Sequence, residues 1–312
     1  MDDWPSPPCA GQSEGVAIHS KAMKVITGAG AVVVRDRASG PELLLIHRSE
    51  PEGWALPQGS LKPDEYQPVC AVRSTVEQAG VRIRLGVPLG QIRRVEDGRD
   101  LQVSFWRARA VSVDQHGPKA GADGFAWKPV PEALQLVEEP QELSLIRQGV
   151  DLPDSVPILL VRHGKAMLRS AWSGRDQARP LTSRGRRQSQ RLAGLLEAYD
   201  VGRVVSSTSN RCMKTLEPYA KLRRIEVVGW TTLSEEQAEK NLKAVEKLMR
   251  RLVAETVQSW DPMALCGHRP VLPTMLSPFG IDDRPLRPGT ALVAHVSRSG
   301  ETLAVEHHPP KA

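Results

Sequence analysis

From Lys24 the chain alternates with the short period of a strand. KVITGAGAVVVRD and LLLIHR are β-rich runs parted by RASGPE, whose Gly and Pro suit a turn between neighbouring strands. RIRLGVPLGQIRRV and LQVSFWRARAV alternate in the same way on either side of EDGRD. Between the two pairs lies GSLKPDEYQPVCAVRSTVEQAG, residues 59–80, a loop that runs into a helical stretch. Polar helical text at QELSLIRQGV gives way to DLPDSVP, whose prolines and acidic residues suit a short linker. PILLVRHG then reads as a buried parallel strand ending in a loop. LTSRGRRQSQRLAGLLEAYD sets Leu192, Leu195 and Leu196 at helical spacing. RVVSS follows as a strand, NRCMKTLEPYAKL as a helix, EVVGWTTL as a strand, and EKNLKAVEKLMRRLVAETV as part of one long charged helix. MALCGHRP and ALVAHVS supply further strands. The first half is therefore expected to be α+β, and the second an α/β three-layer domain. The divisions expected are a flexible tail over 1–23, a first domain over 24–148, a linker over 149–155 and a second domain over 156–312.

Composition agrees with two domains, since 312 residues exceed what one core usually organises. With 40% hydrophobic and 25% charged residues, the balance is that of a globular chain. Lys and Arg exceed Asp and Glu by 42 to 36, and the surplus is spread rather than gathered in a block. That favours a small anionic ligand over nucleic acid. Cys9, Cys70, Cys212 and Cys266 show neither zinc spacing nor a disulfide framework, which suits reduced thiols in a cytoplasm. The opening MDDWPSPPCAGQSEG lacks the apolar stretch of a signal peptide, and no segment reaches transmembrane length, so no membrane partner is expected. The sequence leaves the oligomeric state open.

The chemistry of the second half gathers at strand ends. LVRHGKA puts Arg162 and His163 after one strand, SSTSNRC puts Arg211 after another, and CGHRP puts His268 after a third. Open α/β sheets collect ligand groups at such ends. Arginines can hold phosphoryl oxygens bidentately, and a neutral imidazole nitrogen can attack phosphorus. TTLSEEQ offers Glu235 or Glu236 as a general acid, with Glu235 favoured by position. Lys165 and Arg169 could extend the positive rim, while His295, His307 and His308 have no supporting pattern. From about Ser155 onward these motifs, with RPLTSRG at 179–185, resemble the histidine phosphatase (RHG, phosphoglycerate-mutase-like) superfamily. The resemblance implies a phosphohistidine at His163, phosphate contacts from Arg162, Arg211 and His268, and no cofactor.

The first half, over roughly 24–148, resembles the Nudix fold of MutT-like proteins. Gly59, Glu65, Arg73, Glu77 and Gly80 stand in register with the Nudix box, and GWALPQG resembles the strand and turn that enter it. An intact box presents three carboxylates to Mg²⁺ on one helix face, where this chain has Ser74, Glu77 and Gln78. Glu77 is then the surviving metal ligand, with the Gly59 carbonyl as a second donor. Glu65 braces the loop through Arg73. Asp123 lies near the place of another family ligand, and Gln58 and Ser60 stand where related two-domain members carry lysines. The loss predicts a fall of about 10²–10⁴ in rate, the range of general-base effects.

The order of the two resemblances is that of two-domain, actinobacterial-type MutT proteins. The reading this favours is a phosphohydrolase run by His163 without metal on a small phosphorylated substrate, with a degenerate Nudix domain that could recognise nucleotides. One alternative is an Mg²⁺-dependent Nudix hydrolase of oxidised nucleoside triphosphates or dinucleoside polyphosphates. The other is a phosphate- or nucleotide-binding module without turnover.

Overall fold

The computed structural model describes residues 25–49, 52–96, 99–113, 122–283 and 285–312. The expected tail over 1–23 and Cys9 lie outside them. Four strands open the chain: β1 (Val25–Arg37), β2 (Gly40–Ser49), β3 (Glu52–Ala55) and β4 (Gln58–Ser60). Helix α1 (Gln67–Ala79) follows, then β5 (Val81–Glu96), β6 (Arg99–Val113) and β7 (Gly124–Pro129). Helices α2 (Val130–Leu136) and α3 (Pro140–Asp151) complete the first half. Its sheet runs β3-β2-β1-β6-β5, with β4 paired to β1 and β7 to β2. The β1–β2 and β5–β6 neighbours are antiparallel, whereas β1 and β6 run parallel.

The alternation along β1 is a sorting of faces. Ala29, Ala31 and Val33 enter one core with α1, while Val32 and Val34 enter another with α2 and α3. On β2, Leu44 and Ile46 share the first face, and Leu43 and Leu45 the second. Helix α1 has Pro68 in its first turn and ends at Gly80, whose φ of 64° is the left-handed cap that glycine adopts without strain.

After α3 the chain is extended for only a few residues before β8 (Val156–Arg162), since the helix continues to Asp151. Next come α4 (Ser183–Ala198), β9 (Arg203–Ser207), α5 (Asn210–Arg223) and β10 (Val227–Trp230). Helices α6 (Glu235–Lys240) and α7 (Leu242–Ser259), strand β11 (Met263–Gly267), helix α8 (Leu272–Leu276), and strands β12 (Ala291–Val296) and β13 (Thr302–His308) finish it. The sheet order is β10-β9-β11-β8-β12-β13, parallel from β10 to β8 and antiparallel beyond. Leu159 and Val161 face α4 and α5, whereas Ile158 and Leu160 face α7 and α8. This is the three-layer arrangement.

Two expectations are corrected. The long charged helix is two helices, because Asn241 leaves helical geometry at φ −154° and its side chain accepts from Ala244 N (3.0 Å), capping α7. The strand expected through EVVGWTTL stops at Trp230, and Thr231–Leu233 form a single 3-10 turn.

The halves share one core, in which Tyr66, Cys70 and Ala71 pack with Leu192, Leu195 and Tyr199. A buried carboxylate joins them as well. Glu306 on β13 accepts from Trp106 Nε1 on β6 (2.8 Å), from Tyr199 Oη on the turn after α4 (2.7 Å), and from His295 Nε2 on β12 (2.8 Å).

Candidate active site

Strand β8 carries Arg162 and His163 out of the sheet beside the end of β11, where His163 N donates to Gly267 O (3.2 Å). The His163 Nδ1–H donates to the Gly164 carbonyl (2.8 Å), which leaves Nε2 with its lone pair free. Burial, with only 7% of the residue exposed, lowers its pKa to about 4, so the ring is neutral at ordinary pH. Its edge meets the ring of His268, with centroids 5.3 Å apart. His268 is fully buried after β11. Burial opposes its charge, but the Cys212 sulfur at 3.4 Å and the Glu235 carboxylate at 3.3 Å outweigh it and raise the pKa to about 9. As an imidazolium it donates Nδ1–H to Glu235 and Nε2–H to Ser207 Oγ (2.9 Å).

Arg211, 1% exposed, projects from the first turn of α5. Its Nη1 donates to the Asp176 carbonyl (2.9 Å) and forms an ion pair with the Asp176 carboxylate (3.0 Å), and its Nη2 lies 3.4 Å from Glu235. Nε of Arg211 and Nε of Arg162 are both buried without a hydrogen-bond partner. Arg162 donates Nη1 to Leu286 O, and burial and the Arg269 charge lower its pKa. Two orphaned guanidinium donors beside a neutral nucleophilic nitrogen describe a place for an oxyanion.

Glu235 begins α6 behind the Ser234 cap and turns inward, while Glu236 is exposed. The His268 hydrogen bond, then the charges of His268, Arg211 and Arg169, lower Glu235 to about 2. Arg169 reaches it from the surface at 3.0 Å, whereas Lys165 is exposed and makes no ion pair among the described residues. A pocket of about 160 Å³ opens on the Arg211 and Glu235 side of the site, lined by Asp176, Thr208, Ser209, Arg211, Glu235 and Glu236 among others but not by His163, Arg162 or His268. His163, Glu235 and His268 bring one potential metal-ligand atom each within 4.8 Å of one another. With Arg162 and Arg211 beside them, the space suits a phosphoryl group better than a cation. Asp176, Arg179 and Ser207 were not anticipated. Arg179 opens RPLTSRG and Ser207 lies within SSTSNRC, but no pattern singles out these side chains or Asp176, since it is tertiary contact that brings them to the site.

The Nudix box is assembled but its donors are engaged elsewhere. Arg73 grips Glu65 with Nε (2.7 Å) and Nη2 (2.8 Å), the brace expected, and reaches Glu77 with Nη1 (2.9 Å). Burial opposes the Glu65 charge, but Arg73 and the Lys62 amide lower its pKa. Lys62 Nζ lies 3.6 Å from the other Glu77 oxygen. The Gly59 carbonyl accepts from the Cys70 thiol (3.2 Å). Ser74 is buried, and a Cβ built at Gly59 would meet its hydroxyl at 2.4 Å. Gln78 and Gln58 exchange hydrogen bonds, with Gln58 N donating to Oε1 (3.1 Å) and Nε2 to Gln58 O (2.9 Å). The Gln58 side chain donates in turn to Glu142, a buried carboxylate on α3 that the sequence did not flag. Asp123 accepts from Ser49 N and Oγ, and Ser60 is exposed. Mg²⁺ wants free oxygen donors in octahedral array. One carboxylate shared by two cations, an amide locked to the backbone and a buried hydroxyl do not fit it.

Two sheets of these topologies, with an imidazole and two arginines at one rim, define a phosphohydrolase joining a Nudix fold to a histidine phosphatase. Residues 26–148 match the NUDIX domain model, and residues 158–270 match the histidine phosphatase superfamily (branch 1). The 8-oxo-(d)GTP phosphatase of Mycolicibacterium smegmatis is 30% identical over 266 residues, covering 82% of this chain and 81% of that protein. The asymmetrical bis(5'-nucleosyl)-tetraphosphatase of Caenorhabditis elegans is 25% identical over 135 residues, covering 40% of this chain and 94% of that protein. A tungstate complex of the protein histidine phosphatase SixA is similar at 19% identity and a TM-score of 0.41, covering 50% of this chain and 97% of SixA. The chain belongs to the family of two-domain proteins that pair a Nudix domain with a histidine phosphatase domain. It is a hydrolase acting on phosphate esters or anhydrides. No helix among the described residues is long and apolar enough to cross a membrane.

Proposed function

We propose that the second domain hydrolyses a small phosphorylated substrate through a phosphohistidine on His163, without metal. What carries this is the pairing of a neutral His163, whose Nε2 is left free by the Nδ1 bond to Gly164, with the buried, unpartnered Nε atoms of Arg162 and Arg211. Arg162, Arg211 and the His268 imidazolium bind the phosphoryl oxygens. Nε2 attacks phosphorus as the bond to the leaving oxygen breaks. In the free site Glu235 is a carboxylate held by His268 and Arg211. An incoming phosphoryl group takes over both partners, which raises the Glu235 pKa, so that the carboxylate takes up a proton from solvent water and passes it to the leaving oxygen. The resulting carboxylate then takes a proton from water as water attacks the phosphohistidine. The P–N bond breaks, inorganic phosphate leaves, and His163 returns neutral.

The Nudix domain serves in this reading as a scaffold, with nucleotide recognition as its remaining chemical role. The names of the two curated relatives support a nucleotide as substrate. No step runs through Mg²⁺ at Glu77.

The test uses the full chain with an aryl phosphate and with nucleoside triphosphates, each with and without EDTA. Activity that survives chelation, disappears in His163→Ala and is accompanied by an acid-labile phosphoenzyme is the expected result. Turnover that EDTA abolishes and His163→Ala leaves intact would transfer the chemistry to the Nudix half. No turnover and no phosphoenzyme would leave a binding module.

A further inference from the structure

We propose that Asp176 is the positioning residue that aims Arg211 at the phosphoryl group, an inference that rests on the reading just given. Asp176 opens a short 3-10 turn, Asp176–Ala178, in the connection between β8 and α4. Three arginines converge on it. Oδ2 forms an ion pair with Arg211 Nη1 (3.0 Å), and Oδ1 accepts from Arg179 Nε (2.8 Å) and Arg169 Nε (3.1 Å). Its backbone carbonyl accepts from the same Arg211 Nη1 (2.9 Å) and from Arg179 N (3.1 Å).

The consequence lies in which donors are left over. A guanidinium offers five N–H groups in one plane. Asp176 holds Nη1 twice, by a hydrogen bond to its carbonyl and an ion pair with its carboxylate, which restrains the position of the group. What remains is the edge formed by Nε, buried without a partner, and Nη2, with only a long 3.4 Å contact to Glu235. That edge is the two-donor fork that binds a phosphate bidentately. Without the Asp176 carboxylate only the backbone carbonyl would restrain Nη1, and Arg211 could move further onto Glu235, tightening the 3.4 Å ion pair at the expense of the phosphoryl group.

The turn that bears Asp176 is itself anchored. Arg179 Nη1 donates to Met167 O (2.6 Å), and Asn210 Nδ2 donates to Ala178 O (3.3 Å). The carboxylate is therefore held between the segment after His163 and the first turn of α5. Burial works against its charge, but Arg211, then Arg169 and Arg179, keep its pKa below the ordinary range, so it stays an acceptor.

A simple counter-charge role makes the opposite prediction. Removing a negative charge beside an anion site would strengthen phosphate binding, whereas releasing Arg211 would weaken it. The sign of the change decides.

The experiment compares wild type with Asp176→Ala and Asp176→Asn, full chain, without metal. Thermal unfolding, KM and kcat on an aryl phosphate, inhibition by inorganic phosphate, and acid-labile phosphoenzyme are measured. The inference expects Asp176→Ala to raise KM and the inhibition constant for phosphate about tenfold or more, the loss of one charge-assisted contact. The phosphoenzyme should still form at saturating substrate, with kcat changed less than KM. Asp176→Asn, which keeps one carbonyl acceptor, should fall between, and it serves if the alanine variant does not fold. Tighter phosphate binding, or unchanged KM and phosphate inhibition in a folded variant, would overturn the inference. Absence of a phosphoenzyme in wild type would instead overturn the reading on which it rests.

Discussion

Replacing Glu306 with Gln tests how the two halves are held together. The carboxylate is 8% exposed, and both oxygens are used: Oε1 accepts from Tyr199 and His295, Oε2 from Trp106, and His308 Nε2 lies 3.5 Å away. An amide has one acceptor oxygen. If that oxygen faces Trp106, whose indole can only donate, the NH₂ group faces Tyr199 and His295, and both must reorient to accept. Hydrogen bonds to a charged group are each worth about 1.5–3 kcal/mol, and breaking a buried charged network costs about 3–5 kcal/mol. We take about 3 kcal/mol for Glu306→Gln. At about 1.5 °C per kcal/mol for a chain of this length, Tm should fall by roughly 5 °C.

The pH dependence adds a second constraint. Burial opposes the Glu306 charge, but hydrogen bonds from His295 and His308 outweigh it and hold the pKa well below the usual carboxylate range. A depressed folded pKa gives stability that is full above the unfolded value of about 4.3 and is lost as pH falls through the folded value. The gap in Tm between wild type and Glu306→Gln should therefore be widest near neutral pH and narrow below about pH 4. Calorimetry across that range measures it. Equal Tm at pH 7, or a gap that stays constant into acid, would refute the reasoning.

Phosphatase kcat/KM should be bell-shaped in pH, rising as His163 loses its proton near pH 4 and falling as His268 loses its own near pH 9; a stopped-flow or fixed-time profile locates both limbs. Glu77→Gln should leave phosphate-ester hydrolysis and its indifference to EDTA unchanged, because the carboxylate is held by Arg73 and Lys62 and not by the phosphatase site. Gln78→Glu should lower stability by about 1–3 kcal/mol, since a carboxylate would face the Gln58 carbonyl now served by Nε2. Thermal unfolding reads that loss, and added Mg²⁺ should not recover it.

Much of this was legible because apolar runs betray strands and because strand ends carry the chemistry. Arg162, His163, Arg211 and His268 each follow a run such as ILLV or RVV, so the sheet brings them to one rim. Asn241 was illegible for a physical reason. The helical periodicity continues across it, and only its backbone departure and the bond to Ala244 show a cap in place of a helix interior. Between Glu235 and Glu236 the difference is one step of helix rotation, which turns one inward and the other to solvent. Asp176, Glu142 and Glu306 lie in polar stretches with no motif, and each matters only through partners distant in sequence.

The altered Nudix box also has a place in the geometry of the other site. Helix α1 lies between its own sheet and α4, with Val69 near enough that a Cβ built at Gly194 would touch it at 3.5 Å. Helix α4 in turn supports the segment after His163: Gln188 Oε1 accepts from Lys165 N (2.8 Å), and Gly185 lies so close that a built Cβ would meet Lys165 O at 2.1 Å. Ser189 Oγ donates to Thr215 O (2.6 Å), and Thr215 Oγ1 accepts from Gly164 N (2.9 Å). The Gly164 carbonyl is the group that fixes the His163 tautomer. A continuous line of packed contacts thus runs from the Nudix helix to the candidate nucleophile. Carboxylates projecting to a metal would add nothing to that line, whereas a rigid helix does. Glu65, Arg73 and Gly80 shape the loop and end the helix, while Ser74 and Gln78, at positions where the sequence resemblance expects metal ligands, face inward to protein partners.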